Sequence, residues 1–380
     1  MILLILALLV LAVWLALWLA HAAFWRIDRE PAPPPPETWP AVAAIIPARN
    51  EAERIEETLT SLWQQDYPGC LRIVVVDDHS EDGTAEAALR AAEENGRAEM
   101  LHVLTAEPLP DGWTGKVWAM QQGLTRGVPP DDPARYILFS DADIAHGKSA
   151  LRELVSRAEA GPCDLVSFMV RLQCHSSAEK LLIPAFVFFF KLLYPFRRVN
   201  DPRDSLAGAA GGTMLARREA LERIGNLDRI RGEWIDDCAL AREIKRGGHR
   251  IWLGLSESSI STRHYGRLRE ILAMIARTAY TQLGYSPLRL LGCVAGLGLI
   301  FLAPPLLLCF ASGWPQALGG AAWLLMSLLY LPMVRFYRQS PLWALLLPLT
   351  ALLYLWATLL SAWRHARGQG GVWKGRARSV

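Results

Sequence analysis

The sequence predicts an α/β domain, built on a mostly parallel sheet with helices on both faces, with transmembrane helices near both ends of the chain. Three observations carry this. Short apolar runs alternate with helical patterns from Val42 to Phe168, and such alternation means parallel strands joined by crossover helices. Met1 to Trp25 is almost wholly apolar and long enough to cross a bilayer. Three further apolar blocks, Leu290 to Phe310, Leu318 to Val334 and Leu342 to Trp363, follow the last polar stretch.

The amino-terminal block has two readings. Ala20-His21-Ala22 resembles a cleavage site, but the start lacks the basic region of a signal peptide and the apolar run is long. An uncleaved anchor over residues 1–25 is therefore expected. Arg26 and Arg29 follow it, which puts the next domain in the cytoplasm by the positive-inside rule. Residues 26–40 hold Pro31 and Pro33 to Pro36, a stiff extended linker.

The catalytic-type domain is expected over 41–285. Strands are predicted at Val42 to Ile46, Ile73 to Val76, Met100 to Leu104, Tyr136 to Phe139 and Leu165 to Phe168. Helices are predicted at Glu53 to Gln64, from Thr84 with Ser80 as its cap, at Lys116 to Leu124, at Leu151 to Ala160 and at Arg217 to Ile224. Another opens at Asp236-Asp237 and stops at Gly247-Gly248. The dense apolar block from Ala178 to Val199 reads as an interfacial segment or, equally, a buried core helix. The spans then occupy 286–364, with Pro304, Pro305 and Pro348 allowing kinks, and a basic tail occupies 365–380. Three carboxyl-terminal spans place Arg335 and Arg338 inside but the tail outside, against the charge bias.

Composition narrows the function. The 380 residues carry a formal charge of only +3 with 52% apolar residues, which gives no footprint for nucleic acid. The six cysteines are scattered with no CxxC pair, which argues against a zinc site or a disulfide framework and fits a reducing compartment.

Polar clusters fall where open α/β sheets bind ligands, just past the carboxyl ends of strands. Arg49-Asn50-Glu51 follows the first strand, Asp77-Asp78-His79-Ser80 the second and Asp141-Ala142-Asp143 the one beginning at Tyr136. No GxGxxG follows the first strand, which disfavours a dinucleotide oxidoreductase. Asp141 and Asp143 project to one side of extended chain. Paired oxygen ligands of this kind suit a hard divalent cation that completes its shell with phosphate and water, although paired aspartates also cap turns. Of Asp236 and Asp237, one is explained as a helix cap and the other is left over. Gly208 to Ala216 is small enough for close backbone approach to a ligand.

Ile45-Ile46-Pro47-Ala48-Arg49-Asn50-Glu51, Val75-Val76-Asp77-Asp78-His79-Ser80, Ser140-Asp141-Ala142-Asp143 and Ile235-Asp236-Asp237, in this order across Val42 to Leu255, resemble the family-two inverting glycosyltransferases. Leu109 to Lys116 and the apolar blocks resemble the bacterial hopanoid-associated members. The resemblance implies a GT-A-like fold and a hexosyltransferase of the bacterial cytoplasmic membrane, multi-pass, with its catalytic domain facing the cytoplasm. It implies that Pro47, Arg49, Asn50 and Glu51, with Asp77 or Asp78, hold the base and ribose of a nucleotide sugar, a UDP-sugar. Asp141 and Asp143 would hold Mg2+ or Mn2+ on the donor diphosphate, Asp143 the more direct ligand. Asp237 would be the general base, but Asp236 stands where the family has Glu, which leaves the base open between the two. Lys116 matches a Gly-Lys position near the nucleotide.

The chain lacks the Gln-x-x-Arg-Trp motif of processive polysaccharide synthases; Arg277 and Gln282 stand in that region in another arrangement, with Arg277 a further candidate for the diphosphate. Single transfer to a membrane lipid, hopanoid or polyisoprenoid, is favoured over a polymerising synthase. A non-catalytic scaffold would be expected to lose the carboxylates that are all present here.

Overall fold

The computed structural model describes residues 1–161, 163–369, 372–374 and 376–377. Of the expected basic tail, Arg378 lies outside the described residues. The chain divides into two compact units. One comprises Met1–Ile27, Gln173–Arg198 and His264–Gly371, the other Asp28–Leu172, Val199–Arg263 and Val372–Val380.

The second unit holds an eight-stranded sheet. Its strands are β1 (Val42–Ala48), β2 (Leu71–Asp77), β3 (Leu101–Thr105), β4 (Tyr136–Ser140), β5 (Ile144–Ala145), β6 (Cys163–Arg171), β7 (Thr213–Arg217) and β8 (Arg250–Ser261). Their order in space is β3-β2-β1-β4-β7-β6-β8-β5. Every residue of β1 is buried, so its apolar run is continuous rather than alternating, as a strand covered on both faces requires. Val42, Ala44 and Ile46 of β1 pack with Ile73 and Val75 of β2 against Leu59, Ala91 and Leu154 from the helices Ile55–Trp63, Thr84–Glu94 and Ala150–Ala160. The alternate residues Ile45, Val74 and Val76 face the other way. They meet the continuation of the helix Gly115–Gln122, a five-residue turn of wider pitch at Gly123–Gly127. A Cβ at Gly123 would lie 2.4 Å from Ile45 Cγ2, and one at Gly127 2.4 Å from Val74 Cγ1. Glycine is what lets this segment lie directly on the sheet.

The sheet is mostly parallel, as expected, with antiparallel pairings at β7 and β5. Four pairings are parallel, β1 with β2 and with β4, β2 with β3, and β6 with β8. Three are antiparallel, β4 and β6 with β7, and β5 with β8. The cause is the entry point of β7. Its first residue, Thr213, pairs with Ser140, the last of β4, so it starts at the edge where β4 ends and must run back. That inversion places Gly211 and Gly212 beside Asp141, whose N–H donates to the Gly212 carbonyl at 3.3 Å. The strand registers Ala48 with Asp77 and Ile45 with Phe139 bring the ends of β1, β2 and β4 to one edge.

Among the described residues, the first unit contains four helices long and apolar enough to cross a membrane: Ile2–Ala20, Pro287–Phe310, Trp314–Phe336 and Pro341–Ala366. The block read equally as an interfacial segment or a buried core helix forms the helix Ser177–Leu193, packed inside this unit. Ser176 and Glu179 cap it reciprocally. Its Phe188 ring stands 5.3 Å from Phe24 and 5.0 Å from Tyr330, and the Leu182 carbonyl accepts from the Tyr354 hydroxyl at 3.0 Å. The aromatic density that suggested an interface is used for ring packing.

Candidate active site

The loops after β1 and β2 are tied together by short-range polar contacts. Asn50 and His79 both take left-handed backbone, with φ of 52° and 53°, as polar turn residues do more readily than most. Asn50 N–H donates to Ser80 Oγ at 3.0 Å, and Asn50 Oδ1 accepts from Glu81 N–H at 2.9 Å. Glu51 N–H donates to Thr84 Oγ1 at 2.9 Å, and Ala52 N–H to Asp82 Oδ2 at 3.0 Å. Burial works against the Asp82 charge, but bonds from Thr84 and Ala52 outweigh it and lower its pKa. Arg49 Nη1 donates to the His79 carbonyl at 3.1 Å and lies 3.8 Å from the buried Asp78 carboxylate. Pro47 sits past the last β1 residue paired with β4, where a strand tolerates a missing donor.

Ser80 was expected to cap the helix at Thr84. It instead orients Asp77, donating its hydroxyl to Asp77 Oδ1 and its N–H to Oδ2. The cap position is Gly83, with φ of 83°, and Asp82 Oδ1 accepts from Thr84 N–H at 3.1 Å.

The loop Asp141-Ala142-Asp143 is pinned through all three carbonyls. Asp141 O accepts from Ser140 Oγ at 3.1 Å, Ala142 O from the buried Thr58 hydroxyl at 2.9 Å, and Asp143 O from Thr262 N–H at 2.7 Å. Ser140 Oγ in turn lies 2.8 Å from His146 Nε2. Burial lowers the His146 pKa to about 4, so the ring is neutral at physiological pH. With the Ser140 proton committed to the Asp141 carbonyl, His146 Nε2 is the donor to Ser140 Oγ.

The side chains of that loop each meet a cation. Lys116 Nζ is 2.9 Å from Asp141 Oδ1 and 3.1 Å from Asp236 Oδ2. Burial alone would pull the ammonium down, but Asp141 and Asp236 outweigh it and hold its pKa above the ordinary value. Asp143 Oδ2 is 2.7 Å from Arg263 Nε, and Arg263 Nη2 pairs with Glu51.

Asp236 and Asp237 open the helix Asp236–Arg246, but neither caps it in the expected way. Ile235 is the cap residue, with no side-chain bond. Asp237 Oδ2 accepts from Gly211 N–H at 2.8 Å and Oδ1 from Cys238 N–H at 2.7 Å. Burial, then the neighbouring Asp236 charge, raises the Asp237 pKa to about 6 against the pull of Lys116 and these two bonds. A Cβ at Gly211 would lie 3.3 Å from both Asp237 Oδ2 and Lys116 Nζ. Asp236 Oδ2 is sealed from solvent, with the Lys116 ammonium 3.1 Å away as its partner.

The cluster therefore brings together Asp141, Asp143, Lys116, Asp236, Asp237 and Glu51, with Asp77, Asp78, Arg49 and Asn50 on the adjoining loops. Arg277 lies in the other unit, exposed on the helix Leu268–Gln282. Sequence reasoning missed Arg263, Thr58 and Lys374. Arg263 lies 120 positions from Asp143, and no local pattern marks such a pairing.

Asp141 and Asp143 are hard oxygen donors of the kind that Mg2+ or Mn2+ takes, and each is held here by a cation, Lys116 or Arg263. Among the described residues no group of three or more His, Cys, Asp or Glu side chains is placed to hold a metal ion.

Residues 43–225 match the domain model described as Glycosyl transferase family 2. The chain is 34% identical over 108 residues to a 4,4'-diaponeurosporenoate glycosyltransferase of Staphylococcus haemolyticus (strain JCSC1435), covering 28% of this chain and 25% of that relative. A Staphylococcus aureus (strain USA300) protein of the same name is 34% identical over 119 residues, 31% of this chain and 28% of its own. The matched stretch thus spans about a quarter of the curated relatives' length. A mannosyltransferase from Pyrobaculum calidifontis, solved with GDP-Man and Mn2+, shares the fold at a TM-score of 0.56 and 22% identity, over 98% of this chain and 100% of that one. Residues 43–225 thus resemble a glycosyl transferase family 2 domain, and three of the four motifs, those at Arg49-Asn50-Glu51, Asp77-Asp78 and Asp141-Ala142-Asp143, lie within them, with Asp236-Asp237 beyond the match.

Proposed function

We propose that this protein is a membrane glycosyltransferase that moves a sugar from a nucleotide-sugar donor to a lipid acceptor with inversion at the anomeric carbon. The observation that carries the reading is the Asp237 carboxylate. Gly211 and Cys238 fix it in place, and its pKa of about 6 makes it a stronger base than an ordinary carboxylate while leaving it ionised at pH 7.

In this reading Asp237 accepts the proton of the acceptor hydroxyl as that oxygen bonds to the anomeric carbon. The bond from that carbon to the diphosphate breaks on the opposite face. Asp141 and Asp143 would hold a divalent cation, which supplies Lewis-acid stabilisation of the charge on the departing diphosphate. Lys116 and Arg263 bring positive charge to the same oxygens. The loops of Pro47 to Glu51 and Asp77-Asp78 would hold the base and ribose.

Two findings support a lipid acceptor and a bacterial cytoplasmic membrane: the four apolar helices and the naming of the bacterial relatives for diaponeurosporenoate. A hopanoid or polyisoprenoid fits that chemistry. Arg26 and Arg29 support a cytoplasmic domain, where nucleotide sugars are made. The test is a screen of labelled UDP- and GDP-sugars with membrane lipid extracts. Label entering an extractable lipid is the expected result; no transfer from any donor contradicts the reading.

A further inference from the structure

The loop Arg49-Asn50-Glu51 receives a contact from far along the chain. Lys374 sits at the turn between the paired strands Val372–Trp373 and Arg376–Ala377. Its backbone is left-handed, with φ of 46°. Its ammonium pairs with the Glu51 carboxylate and donates to the Asn50 carbonyl at 3.1 Å. Its own carbonyl accepts from Arg49 Nε at 3.1 Å. One residue thus engages all three positions of the loop.

The cations there converge on one carboxylate. The Glu51 oxygen that meets Lys374 also meets Arg263, and the other Glu51 oxygen lies 3.7 Å from Arg54. One nearly buried carboxylate faces three cations. Asp143 and Glu53 take part of the charge of Arg263 and Arg54. A lysine ammonium has three N–H donors, and the two contacts from Lys374 Nζ use two of them. Burial lowers the Lys374 pKa, so a desolvated ammonium here gains by meeting a further anion.

We propose that Lys374 is a donor-binding residue, supplied by the carboxyl-terminal segment, that directs its third N–H to a diphosphate oxygen of the nucleotide whose base and ribose lie at the Arg49–Glu51 loop. This rests on the donor reading above. It adds a positive group from outside the matched family domain, which ends at residue 225, to the pocket wall. Lys374 also locks the loop by bridging Arg49 and Asn50.

The test is calorimetric binding of UDP and of GDP, each with Mn2+, to the full chain in detergent. For whichever nucleotide the wild type binds, Lys374→Ala should bind about tenfold more weakly. Lys374→Arg should recover most of the loss, because a cation returns at the same turn. Circular dichroism on each variant should match the wild type. Equal binding by Lys374→Ala overturns the inference and leaves the donor reading standing. Tighter binding also overturns it, since Lys374 would then stand in the donor's place. A wild type that binds neither nucleotide overturns both.

Discussion

The Lys116 ammonium stands 2.9 Å from the Asp141 carboxylate, which links the loop after β4 to the start of the helix Asp236–Arg246. Through Asp236, at 3.1 Å from the same nitrogen, the proposed cation-binding side and the proposed base side share one positive charge. This coupling sets the first expectation. Asp237 must be ionised to accept a proton, so turnover should rise as pH climbs through about 6 and level off above it. Lys116 pulls the Asp237 pKa down. Lys116→Met should therefore move the acid limb to higher pH and cost about tenfold or more in turnover at pH 7. Lys116→Arg should keep the limb in place. A pH–rate profile with the same acid limb in Lys116→Met would contradict the coupling.

Asp143 tests the cation. Asp143→Ala removes one of the paired carboxylates and leaves Arg263 with Glu51. Nucleotide binding by the wild type should tighten when Mn2+ is added, and that gain should vanish in the variant. Calorimetry with and without Mn2+ reads this directly; an undiminished metal effect rules Asp143 out as a ligand.

His146 carries a stability signature. Its folded pKa of about 4 lies below the ordinary value of about 6.5 that applies to the unfolded chain. Between those values the unfolded state takes up a proton that the folded state refuses. The contribution is fully present above pH 6.5 and is lost as pH falls toward 4, by at most about 3 kcal/mol. Thermal melts of the full chain from pH 7 to 4.5 should show His146→Gln losing less stability than the wild type across this window. Parallel losses in the two proteins would assign the acid sensitivity to other groups.

Orientation is checked in the linker. With native cysteines replaced, Pro34→Cys should resist a membrane-impermeant thiol reagent in intact cells and react after lysis. Rapid labelling in intact cells would put the sheet domain outside, away from any nucleotide sugar.

Much of the site was legible because its parts are local. Buried strands read as apolar runs, and Arg49-Asn50-Glu51, Asp77-Asp78 and Asp141-Ala142-Asp143 stand just past β1, β2 and β4, where side chains leave the sheet. What could not be read depends on pairing across the chain. The reversal of β7 follows from where the chain re-enters the sheet, and nothing in Thr213–Arg217 announces direction. Arg263 and Lys374 reach Glu51 from 212 and more than 300 positions away, distances over which no periodicity operates. One of Asp236 and Asp237 was expected to cap their helix, since Asp at a helix start usually does; Ile235 takes that position and the ammonium of Lys116 pairs with Asp236.

The central claim is that Asp237 is the general base, and its most direct test is Asp237→Asn. The amide is near the carboxylate in size and still has an oxygen to accept the Gly211 N–H, but it cannot take a proton. Sugar transfer from the labelled donor should fall by about 10²–10⁴, while nucleotide binding and the thermal melt stay close to the wild type. Asp236→Asn in the same assay should retain more transfer. Full transfer by Asp237→Asn would contradict the account, and loss confined to Asp236→Asn would move the role to that residue.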